Sequence, residues 1–408
     1  MMKIKFINIL FFLSLTSTLV GQNRDLQINY NFYNGNTHAH TSYTWSHGNH
    51  LERIPDQGKY MIVDSTHSSR FINMTLKDDW QVYQGPPSEH FAIAKANDYD
   101  FYITTDHSQE AAFRPTLKDN QAWSKVKDEA YKATDSAFVA LTGYEHSEND
   151  GPGGLGHINV INSSEYLNAL EPYVDLPTFY KWLKKVPSNG EGSVVATFNH
   201  PRPGQYDNFA HRDPEVTEII TMLEVINSNK NIYFEGFVEA LDKGWKVSPI
   251  AGNDNHNIDG ITNHTSRTFV IAPEKTKSSL LEAMKNRRTY ASLEKNIQCI
   301  YFVNGQVMGS TIPPDKNFKF DIKIEDPDTN NPLDKITKIE ILKDWGKVVK
   351  VYEPEPSFSV NWTPTIQDPD ASYFFIRVWN AGGGDHMDVD PKEAVAWLAP
   401  VWINNPEK

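Results

Sequence analysis

Residues that commonly hold metal ions recur in this chain at the ends of strand-like apolar runs, and that recurrence limits the folds open to it. His38-Ala39-His40 follows the run Ile28–Tyr33, and His107 ends Phe101–His107. Glu145 follows Phe138–Leu141, His200 ends Val194–His200, and Asp254-Asn255-His256 follows Val247–Gly252. Strand exits gather in one place when the strands lie side by side and run the same way. In a parallel β/α sheet or barrel, sites are assembled at those carboxyl ends. In the His-x-His and Asp-x-His pairs, residues two apart on extended backbone face one side, so both side chains can serve one centre.

The intervening sequence agrees with such a sheet. Helix-like segments Glu89–Asn97, Ala122–Ala137, Leu176–Val186, Phe234–Gly244 and Ser278–Arg288 alternate with strand-like segments Phe101–Thr104, Ala137–Leu141, Val194–Phe198, Met222–Ile226 and Ser248–Ile250. That alternation predicts an α/β domain with a largely parallel sheet. At 408 residues the chain exceeds one ordinary core. Of its 14 histidines only His386 lies beyond residue 270. Past residue 300 the text changes to short alternating runs such as Phe318, Phe320, Ile322 and Ile324, separated by turn signals. These predict an antiparallel, Ig-like β-sandwich. The expected organisation is a leader over 1–21, a metal-binding domain over 22–298 and the sandwich over 299–408. Trp45–Pro87 is polar and weakly periodic, which predicts a long functional loop over the first domain. The sandwich tryptophans mostly fall in strand-like runs, as expected of a packing module, although Trp345 or Trp362 could stack on a sugar.

Lys3 and Lys5 precede a short apolar run from Ile4 to Val20, broken by Asn8, Ser14, Thr16 and Ser17 and followed by small and polar residues. This is the pattern of a secretory signal peptide cleaved near Gly21 or Gln22, giving a periplasmic or secreted protein. No other stretch is apolar enough to span a bilayer. Cys299, the single cysteine, leaves no intramolecular disulfide to form. The net charge of −13 does not suit non-specific binding to nucleic acid. A small anionic substrate is compatible with it where metal ions supply local positive charge.

Each motif has an ordinary reading when taken singly. His-x-His can be a hydrogen-bonded surface pair, Thr105-Asp106-His107 a polar loop, and Glu145 a surface carboxylate. His200 before Pro201 can cap a turn, and His157 can be a satisfied core histidine. Taken together at successive strand exits they predict a multi-metal site. Imidazole and carboxylate without thiolate suit Zn, Mn or Fe. Glu145 and Asp254 could bridge ions, so two or three divalent ions are chemically reasonable.

The order of these motifs resembles the PHP (polymerase and histidinol phosphatase) family. Asn36–Ser42 is similar to its His-x-His motif, Thr105-Asp106-His107 to its Thr-Asp-His motif, and Gly143-Tyr144-Glu145 to the element with the bridging glutamate. Gly156-His157, Asn199-His200-Pro201 and Gly252–His256 resemble the remaining metal-binding elements. The resemblance spans roughly residues 30–295 and implies a distorted (β/α)7 barrel with metals at the strand carboxyl ends. Arg267-Thr268-Phe269, Glu282–Ala291 and Ala396–Ile403 resemble an exported branch with a C-terminal β-sandwich, which includes carbaryl-hydrolase-like enzymes acting on aryl carbamates.

By this resemblance His38, His40, Glu145 and Asp254 hold one ion, and Glu145 bridges to a second on His157 and His200. His107 and His256 hold a third. The family's acidic or histidine ligand shortly after His-x-His falls here at Ser46, so His47 is the candidate third-site ligand, with His50 a competitor. The implied activity is hydrolysis of a phosphoester by metal-activated water. Carboxyl- or carbamate-ester hydrolysis on the same site is the alternative, and a non-catalytic glycan- or metal-binding surface protein is a second one. The expected partner is a small ester substrate, anionic or glycan-linked. Arg202 and Arg267 are candidate clamps for an anionic group, and His146 and His264 candidate acids for the leaving group. Expression in a secreting host should yield a protein whose first residue, read by mass spectrometry, lies near Gly21 or Gln22. A mature product retaining Met1 would oppose export by cleavage.

Overall fold

The computed structural model describes residues 29–44, 84–113, 116–148, 156–169, 171, 174–228, 231–383 and 393–404, with the backbone alone of Leu51–Arg53 and Met74–Leu76. The expected leader and most of Trp45–Pro87, His47 and His50 included, lie outside the described residues.

The first domain is built on strands β1 (Asn31–Asn36), β2 (Phe101–His107), β3 (Val139–Glu148), β4 (Gly156–Ile161), β5 (Val195–Asn199), β6 (Ile220–Asn227) and β7 (Ser248–Gly252). They form a curled sheet in spatial order β7-β6-β5-β4-β3-β2-β1. Strands β1, β2 and β3 run parallel, as do β5, β6 and β7. The seven-fold β/α alternation implied by the resemblance is interrupted at β4, which is antiparallel to both neighbours, with His157 opposite Asn199 and Ser147. Chain direction cannot be read from Gly156–Ile161 itself, because an apolar strand has the same side-chain period either way. On the other side, β8 (Arg267–Ala272) and β9 (Thr289–Ser292) extend the sheet from β1 as antiparallel strands.

The curl is drawn together at its carboxyl ends. Beyond β1 and β7 the two chain segments join by a parallel bridge between Ala39 and Asn255. Asp254 N–H donates to the His38 carbonyl at 2.9 Å, and His40 N–H to the Asn255 carbonyl at 3.1 Å. The ligand-bearing segments are therefore part of the closure. Inward parity then sorts the side chains. Phe101, Ile103, Val139, Leu141, Val195, Met222 and Ile250 fill the lower interior with Leu280, Leu281 and Met284 of the helix Lys277–Lys285. The same parity places His107, Glu145, Asn199 and Glu224 higher on that face. Helices Pro87–Ala96 and Gln121–Ala133 cover the opposite face over Tyr102, Phe138 and Ala140. The second of these stops before the expected Ala137, because Asp135 turns back to accept from the Ala137 and Phe138 N–H groups.

The main strands of the second half are β10 (Gln298–Val303), β11 (Phe318–Glu325), β12 (Ile336–Lys343), β13 (Lys347–Tyr352), β14 (Ser359–Trp362), β15 (Tyr373–Asn380) and β16 (Ala396–Leu398). Alternating inward residues Phe318, Phe320, Ile322 and Ile324 of β11 share one apolar cluster with Ile339, Ile341, Phe374, Ile376 and Val378 of the other sheet. This is the sandwich packing that the alternation predicts. The two halves are not separate beads, since β16 pairs with β9 on one side and β15 on the other. The curled sheet thus continues into one layer of the sandwich. Trp397 of β16 is fully buried in a cluster that includes Phe237, Trp245, Phe375 and Trp379. Trp397→Ala should lower stability by about 3–5 kcal/mol in denaturant unfolding. A loss below about 1 kcal/mol would show that the junction contributes little.

Candidate metal centre

Glu145 is the hub. It lies on the inward face of β3, near its end, and is 1% exposed. Its Oε1 lies 3.3 Å from His38 Nε2, 3.1 Å from His157 Nδ1 and 3.5 Å from His200 Nε2. Its Oε2 lies 2.9 Å from His107 Nε2 and 3.7 Å from His40 Nε2. Asp254 stands opposite, with Oδ1 3.0 Å from His40 Nε2, 3.4 Å from His38 Nε2 and 3.5 Å from His256 Nε2. Four groups have ligand atoms within 4.8 Å of one another: His38/His40/Glu145, Glu145/His157/His200, His38/His200/Asp254 and His40/His107/His256. The structure therefore brings together eight of the residues named from sequence. It shares His40 between two groups and sets Asp254 against His200 as well as the first pair.

The donor chemistry suits metal ions. The Nε2 atoms of His38 and His40 approach to 3.1 Å while both face the Glu145 and Asp254 carboxylates. Nitrogen lone pairs and carboxylate oxygens converging on a buried point, without thiolate, are what Zn, Mn or Fe takes. Burial and the facing His256 and His107 rings push His40 well below its ordinary pKa, leaving a neutral imidazole. Burial opposes protonation of His38 too, but Asp254, Glu224 and Glu145 carry its pKa well above the usual value. Burial would raise Glu145, yet His157, His38 and His107 hold it well below the carboxylate range. The two carboxylates are thus ionised while the imidazoles compete for position. His200 and Asp254 also adopt positive φ, 33° and 48°. For non-glycine residues this costs on the order of 1–3 kcal/mol each and is characteristic of built sites.

Exposure divides the cluster into a deep and an outer half. His38, His40, Glu145 and His107 side chains are 0–4% exposed, whereas His200, His256, His157 and Asp254 are 14–22% exposed. The outer half is the side that faces solvent.

The supporting roles of several residues escaped the sequence reading, and Glu224 escaped it altogether. Glu224, fully buried in β6, accepts from His38 Nδ1 at 2.7 Å and from the His200 N–H at 2.9 Å. That bond fixes the proton on Nδ1 and turns the Nε2 lone pair toward the cluster. Gly252 leaves the room for it, since a Cβ there would collide with the Glu224 carboxylate and His38 Cβ. A carboxylate at an inward position of the apolar run Met222–Ile226 was the available signal, because a buried charge needs a partner. Asn199 Nδ2 donates to Glu145 Oε1 at 2.9 Å. Asp106 is a clamp, accepting from Thr41 N–H, Thr41 Oγ1 and Thr44 Oγ1 at 2.7–2.8 Å. Burial lifts its pKa to about 6.

The proposed catalytic side chains fare differently. Arg202 is exposed near the outer half, beside Tyr233, whose ring centroid is 6.3 Å from that of His200. Arg267 does not fit the role of clamp at the cluster. It is 2% exposed, donates to the His264 and Ser266 carbonyls and lies 3.7 Å over the Tyr99 ring. His146 does not fit that of leaving-group acid. One residue from Glu145, it points to the opposite face by strand alternation, stacked 4.1 Å from Phe179. Burial depresses its pKa to about 4.

No family model matches the chain, and no curated protein matches it. Among solved structures it is similar to a two-domain protein from Bacteroides vulgatus containing a predicted PHP-like metal-dependent phosphoesterase. That likeness has 15% identity and a TM-score of 0.44, covering 91% of this chain and 96% of the other. It is also similar to a candidate metal-dependent phosphoesterase from Bifidobacterium adolescentis, at 10% identity and a TM-score of 0.29, covering 62% and 94%. Likenesses this distant fix neither activity nor substrate, which rest on the residues of the site.

Glu224→Gln and Glu224→Ala should weaken metal binding by about 10–100-fold in chelator competition, with alanine the worse. Unchanged affinity in both would remove Glu224 from the centre.

Proposed function

We propose that this chain is a PHP-type, metal-dependent hydrolase that cleaves phosphoester bonds after export. The observation that carries the reading is the convergence of His38, His40, His107, His157, His200 and His256 on Glu145 and Asp254 at the carboxyl ends of the sheet. Two or three divalent ions held there, Zn, Mn or Fe, would acidify a water and neutralise charge developing on the phosphoryl group. The chain's own part is positional. Glu224 and Asn199 orient His38 and Glu145, and the closed deep half keeps bulk water from one side. Asp254 is held from behind by Asn227 Nδ2 at 3.2 Å. Arg202 supports an anionic substrate, since its exposed guanidinium stands at the open side. Lys3, Lys5 and the apolar run after them support export, and no described helix is long and apolar enough to cross a membrane.

The test measures metal content and turnover of p-nitrophenyl phosphate, bis-p-nitrophenyl phosphate and an aryl acetate or carbamate. Wild type should carry two or three equivalents of metal and prefer a phosphoester. His38→Ala and Asp254→Asn should each lose more than about 100-fold, beyond what loss of an outer-shell partner costs. Preference for the carbamate would select the ester-hydrolase alternative. A folded protein that binds no metal, or equal activity in the variants, would sink the metallohydrolase reading.

A further inference from the structure

Arg267 does not clamp substrate, yet its guanidinium is committed to the segment that carries two residues of the metal centre. It opens β8, is 2% exposed, and its Nη1 donates at 2.9 Å to both the His264 and the Ser266 carbonyls. Those carbonyls close the segment that begins after β7 with Asn253-Asp254-Asn255-His256. The guanidinium carbon lies 3.7 Å from the centre of the Tyr99 ring, a cation–π contact.

Tyr99 carries the connection onward. Its hydroxyl donates to the Ile261 carbonyl at 2.9 Å and accepts from Asn253 Nδ2 at 3.3 Å. Tyr102, near the start of β2, packs edge-on against Tyr99 with ring centres 5.5 Å apart. Its hydroxyl donates to Asn255 Oδ1 at 3.1 Å, and Asn255 Nδ2 donates to the Asn257 carbonyl at 3.0 Å. Asp254 is thus bracketed. The asparagine on each side of it is bound to a buried tyrosine hydroxyl, while Asp254 and His256 themselves reach His40. Tyr99, Tyr102, Asn253 and Asn255 are 1–5% exposed or fully buried. Water is not at hand to replace a bond lost among such groups, so each loss leaves a polar atom unsatisfied. Asp254 also holds a φ of 48°, a conformation that persists only where its surroundings over-determine it.

We propose that Arg267, Tyr99 and Tyr102 are positioning residues that set Asp254 and His256 for metal. The inference rests on the metal-centre reading and adds a division within it. Asp254 and His256 enter the His38/His200/Asp254 and His40/His107/His256 groups, and neither enters the Glu145/His157/His200 group. Loss of a tyrosine hydroxyl should therefore weaken ions held through Asp254 and His256 and spare the ion on Glu145, His157 and His200.

The experiment uses the full chain, stripped of metal and titrated with Zn2+ against a chromogenic chelator. Thermal unfolding is followed with and without Zn2+. Wild type should bind two or three equivalents. Tyr102→Phe removes the hydroxyl, and Arg267→Lys keeps the charge but not the flat fork over the Tyr99 ring. Each should weaken at least one equivalent by about 10-fold or more and leave at least one unchanged. The gain in Tm on adding Zn2+ should shrink in both, whereas a merely structural loss would lower Tm equally with and without the ion. In an Asn255→Ala background Tyr102→Phe should cost no further affinity, because the bond it removes is already gone. Should Tyr102→Phe fail to fold, Tyr99→Phe takes its place. Wild-type affinity at every equivalent in the variants would overturn the inference and leave the metal centre standing. Equal weakening of all equivalents, the mark of general loosening, would do the same. A wild type that binds no Zn2+ would overturn both.

Discussion

A buried carboxylate that faces five imidazoles is the constraint on which this molecule is arranged. Glu145 meets His38, His40, His107, His157 and His200, and no two of those belong to the same strand exit except His38 and His40. Burying such a group is expensive unless opposite charge and hydrogen bonds surround it completely. Several elements therefore have to be in register at once. Strand β2 must set His107 beside Glu145 on β3, and β4 must run backwards so that His157 reaches the same carboxylate. The join of the segments after β1 and β7 must bring Asp254 to His38. A slip of one residue in any of these strands would turn its ligand to the outer face.

That requirement explains what was legible in the sequence. Most of the candidate ligands stood out because they interrupt apolar text at a strand exit, where a core residue would not be polar; His157, at the start of β4, is the exception. Glu224 did not stand out, because it lies within a strand whose apolar run reads as core. Asn199 was visible beside His200, but nothing in the sequence pointed its amide at Glu145. His146 was misjudged for the complementary reason: it adjoins Glu145 in sequence, but alternation sends neighbours to opposite faces. Arg267 sits close to ligands along the chain, yet its guanidinium is already committed to carbonyls and the Tyr99 ring. The reversal of β4 has no local signature, because it is decided by which neighbours the strand pairs with. The sandwich was legible from alternation alone, whereas its shared ladder with the curled sheet was not, since β9 and β16 are distant in sequence.

The centre also carries unequal constraint. Its deep half is enclosed and oriented by Glu224 and Asn199. Its outer half includes His200 and Asp254, whose backbones are held at positive φ. Strain of this kind persists only when surrounding bonds over-determine it. Here the His200 N–H is held by Glu224 and the Asp254 N–H by the His38 carbonyl. The same carboxylate thus steadies one deep ligand and one outer ligand, which makes the two halves respond together to loss of Glu224.

The pairing of β16 with β9 bears on the order in which the chain can acquire its structure. Tyr290, Ala291 and Ser292 find their partners in Leu398, Trp397 and Ala396. Along the chain, the sheet edge at β9 comes long before the strand that covers it. Until then that edge offers unpaired backbone groups and an apolar face that would normally hold Trp397. Such an edge is open to pairing with another chain. The edge of β9 is therefore covered only once β16, about a hundred residues further along the chain, has paired with it.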